Sequence, residues 1–519
     1  MNAYALKPLL RVDFVPAQRG LGQEEADGRP GSDPHRIGLF SSQVLKFARQ
    51  NLNSDTPTPG HHPDLIKAVT NAQNDLDTQI RAALAPTIKD VEKLGYPGLH
   101  DPQQIDFRTR IHTSDLLNHN TAVQYRMDGQ EGNTYFPEHT IGLGYQNLQS
   151  LSYQLVSFRE TRLNPSEGAP AAVHLVLLEE PEAHLHVQVQ RIFPKKALEL
   201  ITPSDSNHAH LANQLILSTH ASHLAHSDSF TRLRYVRRAS SESPESMPYS
   251  EVINLADVFG DDFKTLAFAE RYFHVQHTDL LFADAAIFVE GTAERMLVPF
   301  FIDGEFEELS RRYLSFLDIG GSHAHRLKPL VERLGIPTVI ITDIDPVEVT
   351  KSKANRTVRK ATVIRSPKNL ECGNDTLTKW HPRKICLDDF GALSGEDLTW
   401  VSENGTRVRF AWQLPIFSNG PWPSSFEDSF ILSNLDWFKR QMDETGPLGK
   451  ACEVARECEG PNELNEALHE MLHGSFKKGD FASTIFEKLS IGEPLTCPSY
   501  ISDALGWLQR ELDPKKGGG

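Results

Sequence analysis

Ala285-Ala-Ile-Phe-Val-Glu-Gly-Thr-Ala-Glu294 and Thr338-Val-Ile-Ile-Thr-Asp-Ile-Asp345 are the two stretches that decide how this chain folds. Each is a short run of apolar, largely β-branched or aromatic residues that stops on acids. That is the pattern of a buried strand with carboxylates at its tip. Between them, Leu314-Ser-Phe-Leu-Asp-Ile-Gly-Gly321 reads as another strand followed by a glycine turn. Strands separated by helix-length segments predict βαβ units and a parallel sheet. Strand tips in such a sheet share one edge, where α/β folds bind ligands. Glu290, Glu294, Asp343 and Asp345 are therefore expected at one mouth. Oxygen ligands of this kind suit Mg²⁺ or Mn²⁺ rather than zinc.

A second α/β series lies upstream. Val173–Leu178 is an apolar strand that runs into Glu179-Glu180-Pro181-Glu182, and Gln214-Leu-Ile-Leu-Ser218 runs into Thr219-His220-Ala221-Ser222. Ile141-Gly-Leu-Gly-Tyr-Gln-Asn-Leu148 opens a helix, and Gly142 and Gly144 would leave backbone N–H groups facing an anion at its N-terminus. An acid pair alone favours solvated carboxylates at a strand end. The His and the glycine-opened helix beside it change that balance: the acid pair resembles a Walker B arrangement, in which Glu179 would help hold Mg²⁺ and Glu180 would polarise the attacking water, and a His at the tip of the next core strand can sense a γ-phosphate. No GxxxxGK[ST] element occurs, and Gly446-Pro-Leu-Gly449-Lys450 lacks its spacing and its Ser/Thr. Three explanations stay open: the natural protein begins earlier, another chain supplies the P-loop, or hydrolysis is lost.

At 519 residues the chain predicts two or three domains. The expected division is an ATPase-like domain over 1–60 and 105–255, a helical insert over 61–104, and a second domain over 280–519, with the boundary near 255–280. Leu65, Ile66, Val69, Leu76, Ile80, Ala83 and Leu84 recur at helical spacing, as in a dimerisation arm or a plain packed helical pair. Residues 351–425 read as an irregular or β-rich insertion, and 426–519 as mostly helical. Hydrophobic content of 39% and charged content of 24% fit a soluble globular chain. No apolar run is long enough to span a bilayer and no signal peptide is visible, so no membrane partner is expected. Cysteines at 372, 386, 452, 458 and 497 form no CxxC pair, which points away from a disulfide framework or zinc ribbon and toward a reducing cytoplasm.

The net charge of −16 counts mildly against a nucleic-acid partner. Yet Lys351, Lys353, Arg356, Arg359, Lys360, Arg365 and Lys368 follow one another with no acid among them. They form either a solvated loop or a phosphate-contacting strip beside the acidic mouth. The histidines between His184 and His226 have no Cys partners and are poor zinc candidates. Trp400 and Trp412 fit packing better than base stacking.

The VEGxxE of Val289–Glu294 with the distant DxD of Asp343–Asp345 resembles a Toprim domain. The string Leu177-Leu-Glu-Glu-Pro-Glu-Ala-His-Leu-His186 resembles the Walker B and D-loop of ABC-type ATPase heads of the SMC and RecF relatives. Ser218-Thr-His-Ala-Ser-His-Leu224 resembles their switch-histidine loop. An ABC-type head followed directly by Toprim resembles the OLD (overcoming lysogenisation defect) family of nucleases, over most of residues 5–485 but without the family's P-loop portion. Ser424-Ser-Phe-Glu427-Asp428 is similar to the family's LE-D element, with Phe426 in place of Leu. Lys477-Lys478-Gly-Asp-Phe-Ala482 is similar to its K-x-x-F-A element.

The resemblance implies an α/β chain: a partial ABC-type head with a helical dimerisation insert, then a Rossmann-like Toprim domain with a helical C-terminal part. It implies a DNA endonuclease in which two metal ions serve the attacking and leaving oxygens. Glu290, Asp343 and Asp345 would hold one Mg²⁺ or Mn²⁺, and Glu294 and Glu427 the second. Lys478, with Lys477 as the alternate, would offset phosphate charge. Gly142, Gly144, Glu179, Glu180 and His220 would face nucleotide. Further implications are a homodimer or higher oligomer, a UvrD-like helicase or a P-loop-supplying chain as partner, and a role in antiphage defence or DNA repair. The competing reading is a non-catalytic scaffold subunit of a defence complex. A topoisomerase would need a separate domain presenting a tyrosine, and a primase would need a zinc module.

Overall fold

The computed structural model describes residues 9–17, single positions within 71–82, residues 124–126 and 135–137, and, apart from short internal stretches, 142–513. The chain divides into two compact units, Met1–Leu224 and Ala225–Gly519. This division falls before the 255–280 boundary expected from sequence. The described positions between 71 and 82 are helical and exposed, and the rest of the 61–104 insert lies outside the described residues. Among the described residues no helix is long and apolar enough to cross a membrane.

The first unit is built on three parallel strands in the order β1 (Leu10–Val15), β4 (Val173–Glu179), β5 (Ala212–Ser218). Two short strands, β2 (Gln124–Arg126) and β3 (Tyr135–Pro137), pair antiparallel beside it in sequence. Alternate residues of β4 point to one face, where Val176 and Leu178 pack with Val15, Leu151, Leu155, Phe193 and Ala197. The helical members of that core come from α1 (Leu143–Leu163) and α2 (Val187–Ile201). Register places Glu179 level with Ser218, so the EEPE and STH segments leave the sheet at the same edge.

The second unit opens with the hairpin β6 (Arg234–Ala239) and β7 (Tyr249–Asn254). Its sheet is made of β8 (Ala285–Val289), β9 (Leu314–Asp318), β10 (Thr338–Ile341), β14 (Thr399–Val401) and β15 (Arg407–Ala411) in the order β14-β15-β10-β8-β9, while β11 (Pro346–Lys351), β12 (Thr357–Ala361) and β13 (Leu370–Cys372) form a separate antiparallel sheet. In the sheet that holds β8, all pairings are parallel except β14 with β15. Both faces are covered, which is why β8 reads as an unbroken apolar run. Ile287, Val289, Val339 and Ile341 pack against α3 (Thr292–Glu305) and the C-terminal helices. Ala286, Phe288 and Ile340 pack against α4 (Lys328–Leu334) and the segment after β10. That second core also takes Phe230, Ile253 and Leu255, so the hairpin region belongs to this unit.

The chain leaves β8 through α3 toward β9, whereas it leaves β10 toward β15. Neighbouring strands β8 and β10 thus send their connections in opposite directions. The crevice at their carboxyl ends is the topological switch point, where open α/β sheets bind ligands.

Candidate active site

Glu290 follows β8, and Asp343 and Asp345 follow β10, so the sheet delivers them to the switch-point crevice. Gly320 and Gly321, after β9, have φ of 63° and 101°, which only glycine adopts without strain, and this turn brings Gly321 N to the Glu290 carbonyl at 3.4 Å. Glu294 lies in the first turn of α3, one turn from Glu290, and is 4% exposed. Asp345 has a φ of 48°, a positive value that turns the chain sharply between the two DxD acids.

Two further groups arrive from the helical C-terminal part. Glu427, 3% exposed, sits in the first turn of α6 (Phe426–Ser433). Its neighbour Asp428 accepts from the backbone N–H groups of Ser424 and Ser425 at 2.8 Å each, and so completes a capping box with Ser425, the N-cap residue of that helix. Lys478, at the start of α9 (Lys478–Ser490), places Nζ 2.8 Å from Glu427 Oε2. Lys477 instead faces Asp480 at 3.6 Å in an exposed pair. The structure therefore brings Lys478, not Lys477, to Glu427.

These acids are electrostatic neighbours. Burial raises Glu290 to about 7, the nearby Asp345 charge adding to the rise while hydrogen bonds from Thr342 and Asn374 oppose it. Burial, then the charge of Glu427, raises Glu294 to about 8. Asp343 lies well above the carboxylate range through burial and the charges of Glu290 and Glu294. Burial works against the Lys478 ammonium, but Glu427 and Asp343 outweigh it and raise that group. The pocket thus gathers more carboxyl groups than one lysine could balance if all were ionised, and in the metal-free state the rise in their values favours proton uptake.

Among the described residues, no group of three or more His, Cys, Asp or Glu side chains is arranged to hold a metal ion as it stands. Glu290 and Asp343 are turned to protein donors. Thr342 Oγ1 and Asn374 Nδ2 donate to Glu290, the latter at 2.8 Å, and Gln413 Nε2 donates to Asp343 Oδ1 at 2.6 Å. The donor set still fits a hard divalent cation: carboxylates only, concentrated and under-neutralised. Thr342, Asn374 and Gln413 were not singled out from the sequence. Thr342 stands inside TVIITDID. The other two lie in the stretch read as an irregular insertion, where no periodic pattern marks them.

In the first unit, Glu180 and His220 approach to 3.7 Å (Oε1 to Nε2), the histidine exposed and the glutamate half-buried. Glu180 has a φ of 39°, as befits a sharp turn off the strand. Glu179 Oε2 accepts from Ala17 N at 3.2 Å. Glu182, another residue not singled out, accepts from Thr219 Oγ1 at 2.7 Å and from His220 N at 2.9 Å, tying the STH turn to the EEPE turn. Gly142 caps α1. At Gly144 a Cβ would stand 2.5 Å from the His184 carbonyl oxygen, so close packing of α1 on the 181–185 turn by itself requires glycine there. Asn147 reinforces this contact by donating to the Ala183 carbonyl.

Two family profiles match the chain. One, described as an AAA ATPase domain, covers residues 13–225, and the other, described as an overcoming lysogenization defect protein-like Toprim domain, covers residues 281–345. The chain thus carries an ATPase domain followed by an OLD-like Toprim domain. It is 28% identical over 437 residues to "Endonuclease GajA" of Bacillus cereus (strain HuB5-5), a match covering 79% of this chain and 58% of the relative. It is 25% identical to "OLD nuclease" of Thermus scotoductus, covering 54% of this chain and 49% of that protein. The chain therefore spans less than two thirds of the length of either relative. Among solved structures, the C-terminal region of the Burkholderia pseudomallei OLD protein is similar at 22% identity, with 44% of this chain and 98% of that chain covered and a TM-score of 0.26.

Proposed function

We propose that this chain, an ATPase domain joined to an OLD-like Toprim domain, is a divalent-metal-dependent DNA endonuclease whose cutting site is the acidic crevice between β8 and β10. The observation that carries this reading is the cluster of five acids at a topological switch point, Glu294 and Glu427 buried among them, which when ionised exceed what the one neighbouring lysine balances. Such a surplus is costly unless a cation completes it. Glu290, Asp343 and Asp345 would hold one Mg²⁺ or Mn²⁺, and Glu294 with Glu427 would hold or position a second. Bound there, such ions polarise the phosphoryl group and activate water. Lys478, 2.8 Å from Glu427 in the metal-free site, would offset charge developing on the phosphate once Glu427 turns to a cation. Lys351, Lys360 and Lys368 are exposed, have no ion-pair partner among the described residues, and lie on the strand pair and loop that follow Asp345. They suit the DNA backbone.

The ATPase domain is proposed as the regulator. Glu179, Glu180 and His220 would meet ATP and its Mg²⁺, with Gly142 and Gly144 at the helix opening. Dimerisation through such heads, a UvrD-like helicase partner, a cytoplasmic location and a role in antiphage defence or DNA repair complete the proposal.

A competing reading, a non-catalytic subunit of a larger complex, draws on Glu290 and Asp343 being already engaged by protein donors. Incubation of supercoiled plasmid and linear duplex with Mg²⁺, Mn²⁺ or EDTA, with and without ATP, separates the two. The nuclease reading predicts metal-dependent cutting that Glu290→Ala loses while its fold persists. Absence of cutting in every condition would favour the scaffold.

A further inference from the structure

We propose that Asn374 and Gln413 are positioning residues for the acidic site: two buried amides that hold Glu290 and Asp343 in fixed orientations for a divalent cation. The inference rests on the metal-site reading above and deepens it. Both side chains are fully buried, at 0% exposure. Buried polar groups of this kind persist only when their hydrogen bonds are made, and here they are. The two hydrogens of Asn374 Nδ2 are shared among three acceptors, Glu290 Oε1 at 2.8 Å, Thr342 Oγ1 at 2.9 Å and the Asp343 carbonyl at 2.7 Å. Asn374 Oδ1 accepts from Thr376 N at 2.9 Å and Leu377 N at 3.2 Å, capping the short helix Asp375–Lys379. Gln413 Oε1 accepts from Ile344 N at 3.0 Å, and its Nε2 donates to Asp343 Oδ1 at 2.6 Å and to Tyr500 Oη at 3.3 Å.

In each amide the oxygen is spent on backbone N–H groups, which can only donate. The orientation of the NH₂ group toward the acids is thereby forced. The chain around Asn374 adds to the brace. Cys372 Sγ donates to the Ile344 carbonyl at 3.2 Å and Gly373 N to the Asp345 carbonyl at 2.7 Å. Three consecutive residues, Cys372 to Asn374, thus bind the three carbonyls of Asp343, Ile344 and Asp345. A Cβ on Gly373 would stand 2.8 Å from the Asp345 carbonyl oxygen, so the close approach excludes any larger residue without a shift.

Neutral amides suit this task on chemical grounds. A lysine or arginine in either place would orient the acids equally well but would repel the incoming cation. An apolar residue would leave the acids to swing apart under mutual repulsion. An amide supplies a donor without charge.

The experiment compares Mn²⁺ binding, by calorimetry or by the free-ion paramagnetic resonance signal, in the wild-type protein, Asn374→Ser, Gln413→Met and Glu290→Ala. Serine keeps a capping oxygen but is too short to reach Glu290, so the helix start survives while the brace is lost. Thermal unfolding in EDTA checks the fold of each variant, and Gln413→Met stands in if Asn374→Ser fails to fold. The expected result is a Mn²⁺ affinity about 10–100-fold weaker in both amide variants. Cleavage, where measured, should recover in large part at saturating metal, as positioning requires. A folded Asn374→Ser or Gln413→Met protein with wild-type Mn²⁺ affinity overturns the inference while leaving the metal site in place. A wild-type protein whose Mn²⁺ binding is absent, or is unchanged in Glu290→Ala, overturns the metal-site reading and this inference with it.

Discussion

Glu294→Gln should stabilise the metal-free protein while disabling it. Glu294 is 4% exposed, and burial first, then the Glu427 charge, lifts its carboxyl from the ordinary 4.5 to about 8. Each tenfold change in proton affinity is worth about 1.4 kcal/mol, so carrying this group ionised at pH 8 costs the metal-free fold on the order of 4 kcal/mol. Glutamine keeps the shape and removes the charge. Some of the gain is lost with the attraction to Lys478, which leaves a net of about 2–3 kcal/mol, or roughly 4–10 °C in melting temperature for a domain of this size. Because the folded value lies above the unfolded one, stability is fully present below about pH 4.5 and is lost as pH rises through about 8. The advantage of the variant should therefore be large at pH 8 in EDTA and small at pH 5. Added Mn²⁺ should stabilise the wild type more than the variant. Melting curves that show the variant no more stable than wild type at pH 8, or equally shifted at both pH values, would refute the charge-surplus account of the site.

Three further outcomes are expected. Gly144→Ala drives a methyl group to 2.5 Å from the His184 carbonyl oxygen. It should cost about 1–3 kcal/mol, more than the gain of up to about 1 kcal/mol that alanine brings to a helix, as read in an unfolding titration. Lys351→Glu with Lys360→Glu should weaken duplex binding and flatten its dependence of log affinity on log salt by about 1–2. An unchanged slope would return these lysines to a solvated surface. Glu182→Gln removes the charge from the bonds that Thr219 Oγ1 and His220 N make to it. It should lower any affinity for ATP measured by fluorescent-nucleotide titration, and an unchanged affinity would confine Glu182 to a structural role.

The strand tips were legible because burial on both sheet faces demands unbroken apolar runs, and those runs ended on acids. Strand β15 was not legible as a core strand, since Arg407 and Arg409 interrupt its apolar pattern. Arg409 is 8% exposed because its guanidinium donates to the Gly395 carbonyl and to Thr399 Oγ1, and Arg407 is drawn to Glu396 and Glu511. Hydrogen bonds to remote residues thus hid a strand that flanks β10. The same holds for Asn374 and Gln413, whose partners are distant in sequence and leave no local periodicity. The basic run looked unpaired because its acids are also remote: Arg359 meets Glu371 at 2.8 Å and Arg365 meets Glu466 at 2.6 Å. Gly142 and Gly144 suggested an anion cradle, whereas close packing on the 181–185 turn already explains Gly144. Trp412 is 1% exposed and packs edge-on to Phe390 at 5.5 Å, as core packing rather than base stacking requires.

The most direct test of the central claim is single-turnover cleavage of an end-labelled duplex across a Mn²⁺ titration by wild type and Asp343→Ala. Asp343 sits at the switch point with its carboxylate held by Gln413, and the account predicts metal-dependent cutting by the wild type and at least about a thousandfold loss in the folded variant. Cutting by Asp343→Ala at the wild-type rate would contradict it.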